Sequence, residues 1–363
     1  GGAGSGGATG TSGARGSGGG TTTSGKAPVI AGCAILPDDH IFNTAIDRLP
    51  AHPSSGAFVN RIGSVKIHLD LGQSLDMSSP DSYWGIPYNV VHGNSATWTT
   101  VAYTSRDDLG WDPTNEADCA TNPSHGVVSP CTAAAARAPV LPIPASPLVE
   151  GGIFPDVSGQ IYGDHHVLLL DADTCRLWEG YHAYSGASGT WDIFGSATFD
   201  LKSDALRPAG WSSADAAGFP ILPLLLRADE ASSGTIHHAL RFTIDSASIR
   251  TEYTWPARHL TNNGTGSAAL PPMGQLFRLK SSTVIPTGYD VQSKAILQAL
   301  KTYGMYLADG GSNLYIQGEP SANWSDKVFD EVQSVRSDQF EAVDLSSIES
   351  RAGFDKNSAA VPP

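Results

Sequence analysis

A chain of 363 residues with 40 Gly, 24 Pro and a charged fraction of 16 % has room for one large domain or two ordinary ones, and its composition suits a turn-rich β protein better than a helical one. Its net charge of −14, with 36 acidic against 22 basic residues and no basic run, excludes a nucleic-acid-binding surface, because phosphate contacts need clustered cations. No apolar run approaches about 18 residues, which excludes a membrane span.

Residues 1–25, GGAGSGGATGTSGARGSGGGTTTSG, cannot bury a core and are expected to form a disordered tether. Such an opening fits a mature secreted or cell-surface protein whose export signal has been removed, with a lipid anchor upstream of the tether as one option. A single β-rich globular domain is expected over 26–350 and a flexible tail over 351–363. RIGSVKIHLDLG (61–72) alternates apolar and polar residues as a strand does, and YWGIPYNVVHG and ATWTTVAY follow as further strands. Residues 104–152 form an irregular excursion rich in Ala, Pro and Asp, of a kind that is usually functional or mobile. GDHHVLLLDADTCRLWEGYHAY (163–184) reads as a β-hairpin with a tight Asp-Ala-Asp-Thr turn. TWDIFGSATFDL (190–201), GTIHHALRFTID (234–245), TEYTWPARHL, GQLFRLK and NLYIQGE continue the strand pattern, with a short helical turn at SADAAG (213–218). DVQSKAILQALKTYGM (290–305) puts Ile296, Leu297, Leu300 and Tyr303 on one stripe of a helix. SDKVFDEVQSV (325–335) reads as a shorter amphipathic helix with Ser325 as N-cap. Many short strands with Gly and Pro turns predict an all-β fold, a β-sandwich or jelly roll, with one or two appended helices.

The four Cys form none of the CxxC pairs of a zinc site. An even count in a Gly-, Ser- and Thr-rich chain favours disulfides and an oxidising compartment. Cys119 and Cys131 bracket CATNPSHGVVSPC and form the expected local pair, which leaves Cys33 for Cys175.

The open end of the hairpin carries the candidate chemistry. If Leu170 faces Cys175 across the turn, His166 faces Glu179 and Asp164 faces Tyr181, all on one side. His165, Trp178 and His182 take the other side, and one slip of register would exchange these neighbours. Acid/base chemistry needs one carboxyl group that keeps a proton and another that stays ionised. Asp164 and Glu179 are therefore the expected catalytic pair, with His166 as modulator; a salt-linked sheet edge would show the same residues. Glu230 in LLLRADEASSG and His238 in IHHALRF are expected to add catalytic groups from neighbouring segments. Asp70, Tyr181, Trp211, Trp255 and Arg241 are expected to contact substrate, because loop aromatics are platforms for sugar rings. The ordinary reading of these residues is a solvated acid, a hydrogen-bonded core histidine or a core aromatic.

His68, Asp70, Asp164, His166, His238 and His259 could instead gather a metal ion, but no HExxH or paired-Cys motif accompanies them. No nucleophile elbow, phosphate loop or dinucleotide fingerprint lies between a strand and a helix, so no cofactor is expected. HALR and Tyr303 give a faint echo of the Arg, His and Tyr set of jelly-roll polysaccharide lyases.

The chain resembles a largely uncharacterised family of secreted bacterial β-sandwich-like proteins, many from soil and environmental bacteria. The resemblance covers roughly residues 30 to 345. It rests on CAILPDDHIFNTAIDRLPAHPSSGAFVNRIG, IHLDLG, GIPYNVV, DHHVLLLDADTCRLWEGYHAY, LRPAGWSSADAAGFPILPLLLRADE, IHHALRFT, WPARH and KTYGMYLAD. Phe42 stands where such sequences usually have Trp, and Leu71 where they usually have Phe. The resemblance implies that Asp70, Asp164, His166, Glu179, Glu230 and His238 lie in recurring motifs, and it implies no activity. The residues themselves point to a secreted carbohydrate-active enzyme acting on a polysaccharide or oligosaccharide, with a hydrolase foremost. A non-catalytic glycan-binding or surface protein is the alternative, followed by a metal-dependent enzyme or a polysaccharide lyase.

Overall fold

The apolar strand of the 163–184 hairpin sets the architecture. Val167–Asp171 reads VLLLD without polar alternation, and all five residues are buried. A strand that is apolar on both sides must be covered on both. Leu168 and Leu170, with Leu177 of the partner strand, enter a large core, while Val167, Leu169 and Trp178 enter a second, smaller one. The computed structural model describes residues 23–74, 85–103, 118–120, 127–130, 140–152, 164–186 and 189–363.

In the hairpin ladder Leu170 pairs with Leu177 and Leu168 with Glu179, two residues away from the register expected from the sequence. The turn keeps four residues but is displaced by one, from 171–174 to 172–175. Asp171 accepts hydrogen bonds from the backbone of Gly93 and Asp173 at 2.8 and 3.0 Å, and Cys175 takes a left-handed φ of +58°. Because the displacement is even, every side chain keeps its predicted face.

The hairpin lies in a four-stranded sheet of order Gly195–Asp200, Arg176–Tyr181, Val167–Asp171, Tyr88–Val91, the last pair parallel. A six-stranded sheet runs Phe340–Ala342, Leu276–Leu279, Met305–Gly310, Leu240–Ile244, Tyr315–Gln317, His68–Asp70, and also mixes parallel with antiparallel ladders. These two sheets share the large core. A third sheet, Val140–Leu141, Thr99–Tyr103, Trp191–Ile193 and Tyr184–Ser185, contributes to the smaller one. Helix Val291–Thr302 is opened by Asp290, whose carboxylate accepts from the Gln292 amide at 3.0 Å. It packs on Leu276–Leu279 and against helices Ala228–Ser233 and Asp326–Val332, the latter with Ser325 at its N-cap.

The expected all-β sandwich is thereby corrected to a mixed α/β fold. Parallel and antiparallel pairs share sheets, and the described residues hold five helices, Ser55–Ile62 and Ser346–Glu349 among them. Two causes hid this. Ser55–Ile62 and Ala228–Ser233 are eight and six residues long, too short to establish a helical period in sequence. Parallel pairing depends on the connections, and short strands such as His68–Asp70 and Tyr88–Val91 do not announce it.

Residues 207–227 join the sheets with little regular structure. SADAAG, expected as a helical turn, is an irregular turn here. Phe219, Ile221, Leu222, Leu224, Leu225 and Leu226 carry this segment into the large core. A buried irregular backbone needs partners for its N–H and C=O groups. Charged side chains from both sheets supply several of them.

The Cys33–Cys175 disulfide expected from the sequence is present, with Cα atoms 5.4 Å apart. The expected Cys119–Cys131 pairing falls outside the described residues, as does most of the tether. Thr23–Ser24, at the end of the tether, pairs with Thr44–Ala45. The segment expected as a flexible tail is docked: Ala360 bridges His40, Val361 donates to the Asp39 carbonyl at 2.9 Å, and Ala359 is buried. No helix among the described residues is long and apolar enough to cross a membrane. That, with the disulfide, is compatible with secretion.

Candidate functional site

Strand ends from both sheets converge at the open end of the hairpin. Asp164 lies just before Val167–Asp171, Tyr181 closes Arg176–Tyr181, and Asp309 lies near the end of Met305–Gly310. These three residues line one pocket of about 520 Å³ together with Ser212, His259, Thr261, Asn262 and Asn263. Asp70 closes His68–Asp70, within electrostatic reach of Asp164. The backbone beside Asp164 is strained. His165 and His182 both adopt φ of +50°, a left-handed conformation uncommon outside glycine. They are cross-linked through His182 N–H to the Asp164 carbonyl at 3.1 Å and Ala183 N–H to the His165 carbonyl at 3.0 Å. Such outliers gather at functional sites.

The electrostatics divide the charged residues into committed and uncommitted groups. The Nδ1 of His166 lies 2.6 Å from Glu150 Oε2, and its Nε2 lies 3.0 Å from the Ala214 carbonyl. Both ring nitrogens face acceptors, so both donate and the ring is an imidazolium. Burial would lower its pKa, but the Glu150 carboxylate outweighs burial and pushes it up to about 9. Arg241 spends Nε and Nη2 on Asp215 Oδ2, at 3.1 and 2.7 Å. Asp215 also accepts from the Ala217 amide at 2.9 Å.

Asp164 and Asp309 are different. Asp164 is exposed in the pocket, and its carboxylate makes no hydrogen bond among the described residues. Crowding by the surrounding protein raises its pKa first, and the charge of Glu150 adds to that, against His166, His182 and Arg241. Asp309 accepts from the Ala216 amide at 3.1 Å and from Gly310 at 2.7 Å. Burial, with the charge of Asp215, still pushes it up to about 7. Asp70 is likewise pushed up to about 7 by burial and then by Glu150.

The remaining sequence candidates lie elsewhere. Glu179 is 0 % exposed and receives the Ile221 amide at 2.8 Å and the Leu222 amide at 3.0 Å, so its carboxylate holds the threaded segment. Glu230 joins Arg227 and, at 2.8 Å, His238 Nε2, while His238 Nδ1 faces the Ala239 carbonyl at 2.8 Å. This group sits at the start of helix Ala228–Ser233 and contributes nothing to the pocket lining. Trp211 is half-buried, with the Arg207 guanidinium 5.6 Å from its ring. Trp255 is buried against Phe354 and donates to the Ser358 carbonyl at 2.9 Å. His68 stacks on Tyr315, and Tyr303 lies by His237.

Sequence reasoning missed Glu150, Asp215 and Asp309, and it missed the buried bidentate pair of Arg207 with Asp118 at 2.6 and 2.8 Å. Asp309 alone left a usable signal, an acid closing the apolar run GMYLAD. Among the described residues, no group of three or more His, Cys, Asp or Glu side chains is arranged to hold a metal ion. Comparison with known proteins gives no match to a family model, a curated protein or a solved structure.

Proposed function

We propose that the protein is a secreted carbohydrate-active enzyme that hydrolyses a neutral polysaccharide in the pocket between Asp164 and Asp309. One observation carries this reading: two carboxyl groups from different sheets line one pocket, and both are held above the ordinary carboxylate range. Carboxyl groups sharing a site resist double ionisation, so the pair keeps a proton near neutral pH. Asp164 has no donor to stabilise its ionised form and is the proton donor to the leaving oxygen. Asp309 receives two backbone N–H groups. Its ionised form, which prevails above about pH 7, faces the positive charge that develops at the anomeric carbon. Glu179 leaves the catalytic pair because the backbone of the threaded segment occupies its carboxylate.

Ser212, Asn262 and Asn263 offer hydroxyl and amide partners to sugar hydroxyls, and Tyr181 offers a ring. Among the described residues the lining holds no Lys or Arg, so a uronate or sulfate would find no counter-charge. The test is release of reducing ends from a panel of β-glucan, xylan, mannan and polygalacturonate. Turnover of a neutral member is expected. D164N and D309N should each lower it by about two orders of magnitude, with melting little changed in D164N and a loss of about 1–3 kcal/mol of stability in D309N, whose carboxylate serves two backbone donors. Retention of a polysaccharide without turnover would support a glycan-binding protein instead. Full turnover in both variants would remove this pocket from the chemistry.

A further inference from the structure

We infer that His259 is the catalytic base of this pocket, taking the proton of the attacking water on Nε2. The inference rests on the reading of the pocket as a hydrolytic site and adds a residue to it. His259 lines the pocket with Asp164 and Asp309. Its Nδ1 lies 2.9 Å from the carbonyl oxygen of Ala216. A carbonyl oxygen only accepts, so Nδ1 carries the hydrogen and Nε2 presents its lone pair. Nε2 makes no hydrogen bond among the described residues. His166 differs, because both of its nitrogens are engaged.

The mounting is specific. Ala216 serves both groups: its carbonyl holds His259, and its N–H donates to Asp309 Oδ2 at 3.1 Å. One residue of the threaded segment thus fixes the base and the carboxylate relative to each other. The backbone amides of Arg258 and His259 both donate to the Ala217 carbonyl, at 2.9 and 3.2 Å. Gly218, at φ +76°, passes so close that a Cβ would lie 2.7 Å from the Trp211 carbonyl oxygen and 3.3 Å from Arg258 Cβ. Arg258 in turn reaches the Lys356 carbonyl at 2.9 Å and Asn357 at 3.1 Å, so the docked C-terminal segment braces the turn that carries His259.

The step balances with water as the only co-reactant. The water oxygen bonds to the anomeric carbon while its proton passes to Nε2. The bond from that carbon to the leaving oxygen breaks, and the leaving oxygen takes both electrons and the Asp164 proton. The imidazolium proton returns to Asp164 through solvent, which restores both groups.

H259N is the informative variant. The Asn amide can still donate to the Ala216 carbonyl, but it has no nitrogen at the Nε2 position. On the neutral polysaccharide that the unmodified protein turns over, kcat of H259N should fall about 100-fold or more, with KM within about threefold and melting unchanged. H259A should fall similarly, and added imidazole should restore its rate about tenfold or more. Unchanged kcat in H259N would overturn the inference, as would loss in H259N with no recovery of H259A in imidazole, which would leave His259 a positioning residue. If D164N is inactive while H259N is active, this inference alone fails. Full activity in D164N and D309N defeats the hydrolytic reading beneath it.

Discussion

Glu179 is fully buried beneath the backbone of Ile221 and Leu222, and its charge-bearing side chain persists because those amides need an acceptor. E179Q keeps one carbonyl oxygen for two donors. It is expected to lose about 1–3 kcal/mol of stability, read as a lower melting temperature, while turnover stays within a few-fold. A collapse of turnover at unchanged melting would return Glu179 to the chemistry. At this scale the sequence was half legible. The face parity of Asp164, His166 and Tyr181 follows from strand geometry and is as expected. The charged neighbours Glu150 and Asp215 were not legible, because each is a single acid in an unpatterned stretch; Glu150 meets the hairpin at His166 and Asp215 lies on the threaded segment, while Asp309 left only the acid that closes GMYLAD.

The hairpin is fastened at one end and carries the pocket residues at the other. At its turn the Cys33–Cys175 disulfide joins residues 142 apart in sequence, and at its open end stand Asp164 and Tyr181. Such a cross-link removes loop entropy from the unfolded chain. The double variant C33S/C175S should therefore lose about 2–5 kcal/mol of stability. Turnover well below the melting temperature should survive, since the disulfide lies at the end of the hairpin away from the pocket. Equal melting of the variant and the parent would contradict this. The helix Val291–Thr302 was legible because it repeats its period, and the hairpin because two apolar runs flank a turn of polar residues. The one-residue displacement of the turn was not, because Asp171 is held in the strand, where it accepts the Gly93 amide of a distant segment.

Across the whole molecule, Asp70, Glu179, Asp309 and Glu319 are each pushed up to about 7, with burial the first cause, and His166 is pushed up to about 9 against its burial. Each therefore keeps a proton in the folded chain that the unfolded chain has already released. The folded state binds more protons than the unfolded one from about pH 4 to 7 for the acids, and from 6.5 to about 9 for His166. Stability from these groups is present at low pH and lost as pH rises through their folded values. Buried His40, lowered to about 3, acts in the opposite direction only below 6.5. The melting temperature should thus fall between pH 7 and 9; a rise across that window would contradict the assignment.

The placement of catalysis between the two sheets is tested most directly by where a sugar lies. In a crystal of the D164N protein soaked with an oligosaccharide of the polysaccharide it normally cleaves, one sugar ring should occupy the pocket. Its glycosidic oxygen should lie about 3.5 Å or less from the substituted side chain at position 164, with Asp309 and His259 at the anomeric carbon. An ordered sugar elsewhere, such as the groove of about 680 Å³ lined by Val90, Pro142 and Trp191, with the Asp164 pocket empty, would contradict the account.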